Sequence, residues 1–326
     1  MNLAVVARMF CISPKRLYHW YKHFLSDYFS DKEQGLWCSR TIESVDKGTG
    51  EITEKPLYVF APENIGEKMC IDDKELGHEG YTILSNAETG KMALMVESCK
   101  ADEVEQAMSK FGSNLHKIKS VSMDMSVTYA LVINNLIPRS ARVIDKFHVM
   151  KYVYSAVNDI RSKTVKELQK QLSKGKKRNE NDKELLSKIE LLRRVSRALT
   201  KSPDKWSVEM KETVHQVFEM YEDIETAYQI SQKFKQWYSY GNRILSTQTI
   251  IHKLHQWYSE ALILTEFGGV VKMIRKHETQ IVNFFKDGLT NAKAERLNGK
   301  IERFVSGNYG IKDKDFFLWR VCGYFA

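Results

Sequence analysis

From about residue 147 to residue 285 the chain shows no strand-like run, whereas the stretch before it switches repeatedly between strand and helix patterns. That break constrains the fold more than any single motif, because one uniform architecture cannot satisfy both parts. Before it, "EKMCIDD" ends an apolar run in two acids, and "GYTILSN" and "KMALMVES" are strand-like, with a turn signal at Asn86–Gly90 between them. Helical spacing through Val104, Ala107, Met108 and Phe111 follows, then the strand "KSVSMDM", the helix "SVTYALVINNLIP" and the strand "ARVIDKFHV". The expected order is β-β-β-α-β-α-β.

Beyond the break, apolar residues recur at helical spacing through Val149, Tyr152, Val153, Ala156 and Ile160, and again through Leu185, Ile189, Leu192, Val195 and Leu199. Ser202-Pro203 opens a further helix, continued by Val214, Val217, Phe218 and Tyr221. "KGKKRNENDK" at 174–183 interrupts this pattern and reads as an exposed hinge or disordered basic loop. A last helix, "NAKAERLNGKIERF", precedes the aromatic segment "FFLWRVCGYF".

Residues 3–25 carry two apolar stripes, Val5, Val6 and Met9, then Leu17, Trp20, Tyr21 and Phe24, separated by Ser13-Pro14. Serine as N-cap and proline at the first helical position start the second helix. Lys15, Arg16, His19, Lys22 and His23 lie on or near it. Such a pair is either a helix-turn-helix that lays its second helix in a DNA major groove or an ordinary helical hairpin with a solvated basic face. Residues 29–66 lack strong periodicity and are expected as a linker with a few short strands.

Charge narrows the partners. Lys and Arg number 50 against 41 Asp and Glu, a surplus of +9 that attracts polyanions. The hydrophobic fraction of 43% excludes a disordered chain, and no apolar run approaches the roughly 18 residues that span a bilayer. The five cysteines are scattered without a CxxC pair, which excludes a disulfide framework and a cysteine zinc module and fits a cytoplasmic location.

Three acids stand where secondary structure brings side chains to a common edge. Asp72 ends the first strand of the series, Asp124 ends the fourth, and Glu295 lies one turn into the last helix. In a mixed sheet of order 3-2-1-4-5 the first and fourth strands are neighbours, so their terminal carboxylates converge. Clustered carboxylates repel unless a cation sits between them, and Mg²⁺ prefers such hard oxygens. Each acid also has a plainer reading: strand alternation allows Asp73 in place of Asp72, Asp124 can cap the next helix, and Glu295 favours a helix dipole. His252 and His255 in "HKLH" lack the acid of a metalloprotease motif and are expected to pack. The aromatics of 237–258 are core residues or a stacking surface for an unpaired base.

The stretches "IDD" at 71–73, "SMDMS" at 122–126, "DKFHVMK" at 145–151 and "NAKAERLNGKIERF" at 291–304, followed by "YGIKDKDFFLWR", together resemble the bacterial insertion-sequence transposases of the DDE class, IS-L-three group. The resemblance implies an RNase-H-like core interrupted by a helical insertion. Position by position it makes Asp72, Asp124 and Glu295 the catalytic acids and the ligands of two Mg²⁺ ions, for which Mn²⁺ can substitute. Asp145 and His148 match an Asp-x-x-His-like element with a positioning role, and Asn298, one turn beyond Glu295, orients that Glu or a metal-bound water. Asp73 stands where relatives often carry Glu.

The fold expected is therefore α/β, an RNase-H-like mixed sheet with a large all-helical insertion and a small N-terminal helix-turn-helix. Its parts are a helix-turn-helix at 1–28, a linker at 29–66, the first part of the core at 67–148, the insertion at 149–286 and the last core helices at 287–326. Lys15, Arg16, His19 and Lys22 are expected to contact DNA, as are Lys293, Arg296, Lys300 and Arg303 around Glu295. The partners implied are double-stranded DNA, both element ends and target, further copies of the chain on that DNA, and a separate N-terminal DNA-binding polypeptide in place of the zinc-binding segment common in relatives. The rival expectations are a non-catalytic repressor and an RNase-H-like nuclease without strand transfer.

Overall fold

The computed structural model describes residues 3–46, 48–172, 180–239, 245–289, 291–307 and 313–326. The basic loop expected at 174–183 lies mostly outside them, and its described part, 180–183, opens a helix. Two compact units emerge, Met1–Val143 with Leu289–Ala326, and Ile144–Gly288.

The first unit is built on seven strands in the spatial order β1 (Trp37–Cys38), β4 (Tyr58–Phe60), β7 (Met92–Val96), β6 (Glu79–Asn86), β5 (Lys68–Leu76), β8 (Ser120–Met123) and β9 (Ala141–Ile144). β7 is buried along its whole length, the pattern of a strand covered on both faces. The β6–β7 turn forms because Asn86 Oδ1 accepts from the backbone of Glu88 at 2.8 Å and Thr89 at 3.0 Å, while Gly90 takes a φ of +77°. Helix α4 (Ala101–Ser109) buries Val104, Ala107 and Met108 and packs on α5 (Val127–Leu136).

Residues 29–66, expected as a linker, do more than link. Tyr58–Phe60 pairs antiparallel with β7 and Trp37–Cys38 pairs with β4, which widens the expected five-stranded sheet to seven. The cause is apolar: Leu57, Val59 and Trp37 join one core with Ile83, Met95 and the last helices, and Trp37 stacks on Tyr28 of α3 (Tyr28–Glu33). β2 (Thr41–Val45) and β3 (Ile52–Lys55) form a separate two-stranded hairpin. β9 ends at Ile144, shorter than the expected strand, and the chain turns helical from Lys146.

At the N-terminus α1 (Leu3–Met9) and α2 (Pro14–His23) pack together. Tyr18 and Tyr21 of α2 meet Phe316 of α14 (Lys314–Phe325) edge-on at 5.3 and 5.6 Å. α13 (Ala292–Ser306) buries Ala294, Leu297 and Ile301, three residues at helical spacing, in the same core. Lys314 pairs with Glu79 and Glu97; the pairing holds the Glu79 carboxyl below its usual range, while burial pushes that of Glu97 up.

The second unit consists of helices: α6 (Lys146–Gln171), α7 (Glu180–Val195), α8 (Val208–Met220), α9 (Glu222–Ser239), α10 (Thr247–Ala261), α11 (Gly268–Lys276) and α12 (Glu278–Asp287). Its centre is aromatic. Phe234 is fully buried, with its ring 4.5 Å from Trp257 and 5.4 Å from Trp237. The indole N–H of Trp237 donates to Ile250 at 3.0 Å and that of Trp257 to Ile230 at 2.9 Å, so each ring is buried with its polar group satisfied. Of the aromatics of 237–258, Trp237, Tyr238, Trp257 and Tyr258 are core, not a surface for bases, and Tyr240 lies outside the described residues. His252 and His255 are exposed rather than packed, and His255 lies 3.0 Å from Glu278. No helix among the described residues is long and apolar enough to cross a membrane.

Candidate active site

β5 and β8 are adjacent parallel strands, with Cys70 opposite Ser122 as their last register pair. Asp72 and Asp124 each stand two residues beyond that pair, so the two carboxylates leave the sheet at the same level. Both are half-buried. Met69, Cys70 and Ile71 are fully buried and anchor the strand; Asp72, expected to end it, lies within it instead, because β5 continues to Leu76 paired with β6 after its pairing with β8 has stopped.

Asp72 is held from two sides. Its Oδ1 accepts from the backbone N–H of Asp73 at 3.0 Å, and its Oδ2 accepts from the Asn298 amide of α13 at 2.9 Å. Asn298, expected to orient Glu295 or a metal-bound water, thus binds Asp72. Two residues along β5, Lys74 pairs with Glu302 at 2.9 Å. Asp72 and Lys74 share a strand face because side chains alternate, and Asn298 and Glu302 share a helix face because they are four apart. Together they lay α13 along β5. Asp73 points to the opposite face, where its charge raises the pKa of Cys99, already raised by burial.

Asp124 does not act as the N-cap of α5; Ser126 occupies that position. Its Oδ1 accepts from the Ser126 N–H at 2.8 Å, closing a turn two residues on. The other carboxylate oxygen takes no part in this turn.

Glu295 lies in the first turn of α13, one turn before Asn298 and in the same row as Asn298 and Glu302. It is exposed. Among the described residues no group of three or more His, Cys, Asp or Glu side chains is arranged to hold a metal ion, so the three acids are not gathered as a closed cluster. The pair Asp72 and Asp124 has the donor chemistry of a Mg²⁺ site, since that ion is usually held by only one or two carboxylates together with water and phosphate oxygens.

The cations expected around these acids separate into engaged and exposed. Lys293 donates to the Glu88 carbonyl in the β6–β7 turn, which pins the start of α13 to the sheet. Arg296, Lys300 and Arg303 are exposed. On α2, Lys15, Arg16 and His19 are exposed, but Lys22 is not available in the same way. It pairs with Asp313 and lies 5.1 Å from the ring centre of Tyr28, a clasp between α2 and the start of α14 that no local pattern in residues 3–25 could announce.

In the second unit Asp145 stands at the N-cap of α6, buried, with His148 one turn on and 3.9 Å away. Tyr238 is buried close by; its hydroxyl pKa is pushed well up by burial and further by the charge of Asp145. The Lys146 ammonium lies 5.0 Å from the Tyr238 ring centre, and burial pushes its pKa down.

Two signals in the sequence could have revealed the residues that reasoning missed. Lys74 follows Asp72 at the strand period of two, and Glu302 follows Asn298 at the helix period of four. Neither period says that the two elements meet.

No curated protein matches the chain. A family model described as a transposase, that of the DDE transposases of the IS-L-three group, matches residues 69–321 and so spans β5 through most of α14. The chain belongs to the IS-L-three group of DDE transposases.

Proposed function

We propose that this transposase cleaves the ends of an insertion element and joins the freed 3′-hydroxyls to target DNA, with Asp72, Asp124 and Glu295 as its catalytic acids. The observation that carries the reading is the level placement of Asp72 and Asp124 on adjacent parallel strands, with the helix of Glu295 bonded to Asp72 through Asn298. In this reading the sheet unit is an RNase-H-like core, residues 149–286 are an insertion within it, and α1–α2 serve as a helix-turn-helix.

Two Mg²⁺ ions, or Mn²⁺ in their place, would supply, when bound, an activated water or 3′-hydroxyl on one side of the phosphodiester and stabilisation of the leaving oxygen on the other. Asp72 and Asp124 would hold the metals, and Glu295 would complete the set from α13. The Asn298 amide fixes the rotamer of Asp72, an outer contact of the kind that orients metal-binding carboxylates. Arg296, Lys300 and Arg303, with Lys15, Arg16 and His19, contact phosphates of element and target DNA and set register without reading bases. Asp145 and His148 act as positioning residues, and further copies of the chain assemble on the DNA.

An assay with pre-cleaved element ends tests the function directly. Joining to a target supports strand transfer. Cutting without joining would make the protein a nuclease on the same core, and binding without either would make it a repressor.

A further inference from the structure

The positive charge of the chain is concentrated in its helical unit. Residues 144–288 carry 26 Lys and Arg against 18 Asp and Glu, while the rest of the chain carries 24 against 23. Five of those 26, Lys174, Lys176, Lys177, Arg178 and Arg243, lie outside the described residues. Four of the others are neutralised in place: Lys163 by Glu266, Lys183 by Glu180, Lys188 by Glu184 and Lys233 by Glu260.

One group is different. Arg193, Arg194 and Arg197 line an open groove of about 340 Å³ where the end of α7 meets the start of α8, with Ser207, Glu209 and Thr213 on the other wall. Arg194 pairs with Glu209 at 2.7 Å. Among the described residues Arg193 and Arg197 form no ion pair, and both are exposed four residues apart on the rim. Behind them Arg161 of α6 donates to the Leu192 carbonyl at 3.1 Å. Its pKa is lowered by burial and then by the charge of Arg193, which places the two guanidinium groups within electrostatic reach of each other. Four guanidinium groups against one carboxylate repel, and an anion seated between them removes that repulsion.

The dimensions and chemistry suit one anion in particular. A planar guanidinium presents paired N–H donors that match two oxygens of a phosphate, and a phosphodiester backbone offers such oxygens at every residue. We propose that the groove between α7 and α8 is a DNA-backbone site in which Arg193 and Arg197 clasp a phosphodiester of the duplex while Glu209 holds Arg194 against the wall. The inference rests on the transposase reading and deepens it, adding to the contacts of α2 and α13 one in the helical unit that fixes the duplex without reading its sequence.

The test is duplex binding by the full chain, followed by fluorescence anisotropy of labelled DNA across a salt series. Arg193→Ala combined with Arg197→Ala should weaken binding by roughly tenfold or more near 0.1 M salt and reduce the slope of log affinity against log salt by about 2. Lys272→Ala combined with Lys286→Ala removes the same charge from exposed positions of the same unit and should leave the slope unchanged. Arg193→Gln with Arg197→Gln, which keeps side-chain length and a hydrogen-bonding end, should show the same loss and answers the question if the alanine pair does not fold. An unaltered slope in the arginine variants, or an equal drop in the lysine control, overturns the site. The two failures are distinguishable: a chain that joins ends normally but ignores the arginine substitutions loses this site alone, whereas a wild type that binds no duplex loses the transposase reading and the site together.

Discussion

In the sheet unit two charged groups of the candidate site are fixed by partners far away in sequence, whereas the helical unit adds to its pairs between helices several that are made within a single helical turn. Asp72 is held by Asn298 and Lys74 by Glu302, each more than two hundred positions along the chain. Lys188 is held by Glu184 and Lys183 by Glu180, one helical turn away. The first kind of bond exists only once the fold has formed, so it gives a site that is organised by tertiary structure and vulnerable to any change that moves α13 from β5. The second kind exists in any helix and contributes only a few tenths of a kcal/mol per pair. It leaves a surface on which charge can be redistributed without disturbing the core beneath.

The largest test of that contrast is chemical. Asp124→Asn keeps the shape and the turn to Ser126 but removes the charge that would hold a metal, so strand cleavage should fall by about a thousandfold or more while duplex binding is retained. Normal joining of pre-cleaved ends by this variant would sink the assignment of Asp124. On the other side of the comparison, Phe234→Ala should destabilise the helical unit by about 3–5 kcal/mol, because it opens a void between Trp237 and Trp257. Chemical denaturation monitored by tryptophan fluorescence would show it, and a shift below about 1 kcal/mol would mean that the aromatic centre repacks freely.

Asn298→Ala is the sharper probe of the long-range bond. It touches no metal in the proposed scheme, so it should lower metal affinity or cleavage rate by about 10- to 100-fold and leave the melting temperature nearly unchanged. Titration of Mn²⁺ against cleavage separates this from a general loss of structure, since excess metal should rescue part of the rate. The smallest effect concerns α14. Lys314→Met leaves the buried Glu97 without one of its cations and should destabilise the sheet unit by about 2 kcal/mol near neutral pH. The sign with pH is set by burial: a carboxyl whose folded pKa lies above its unfolded value takes up a proton on folding, so its contribution is present at acid pH and lost as pH rises through the folded pKa. The difference between wild type and variant should therefore shrink on going from neutral to mildly acid pH. Thermal melts at the two ends of that range would expose a constant difference, which the burial of Glu97 does not allow.

The sequence by itself determined the local elements and the order of the acids. The apolar spacing of Val104, Ala107 and Met108 is a helix in any context that buries one face, and the Asn86–Gly90 turn closes through bonds made within five residues. The break near residue 147 marks the second unit, whose helices follow from their own periodicity. Only the tertiary structure decided which of these elements meet. Tyr58–Phe60 reads as a short fragment until it pairs with β7, and Lys22 reads as one more cation of a basic helix until Asp313 takes it. Even the expected meeting of α13 with the acids of the sheet went through Asn298, which bonds Asp72. The physical reason is common to all three. Periodicity reports which face of an element must be buried, because that depends on side chains a few positions apart, but the partner that buries it is chosen by packing and hydrogen bonding across the whole chain, where no local spacing carries the information.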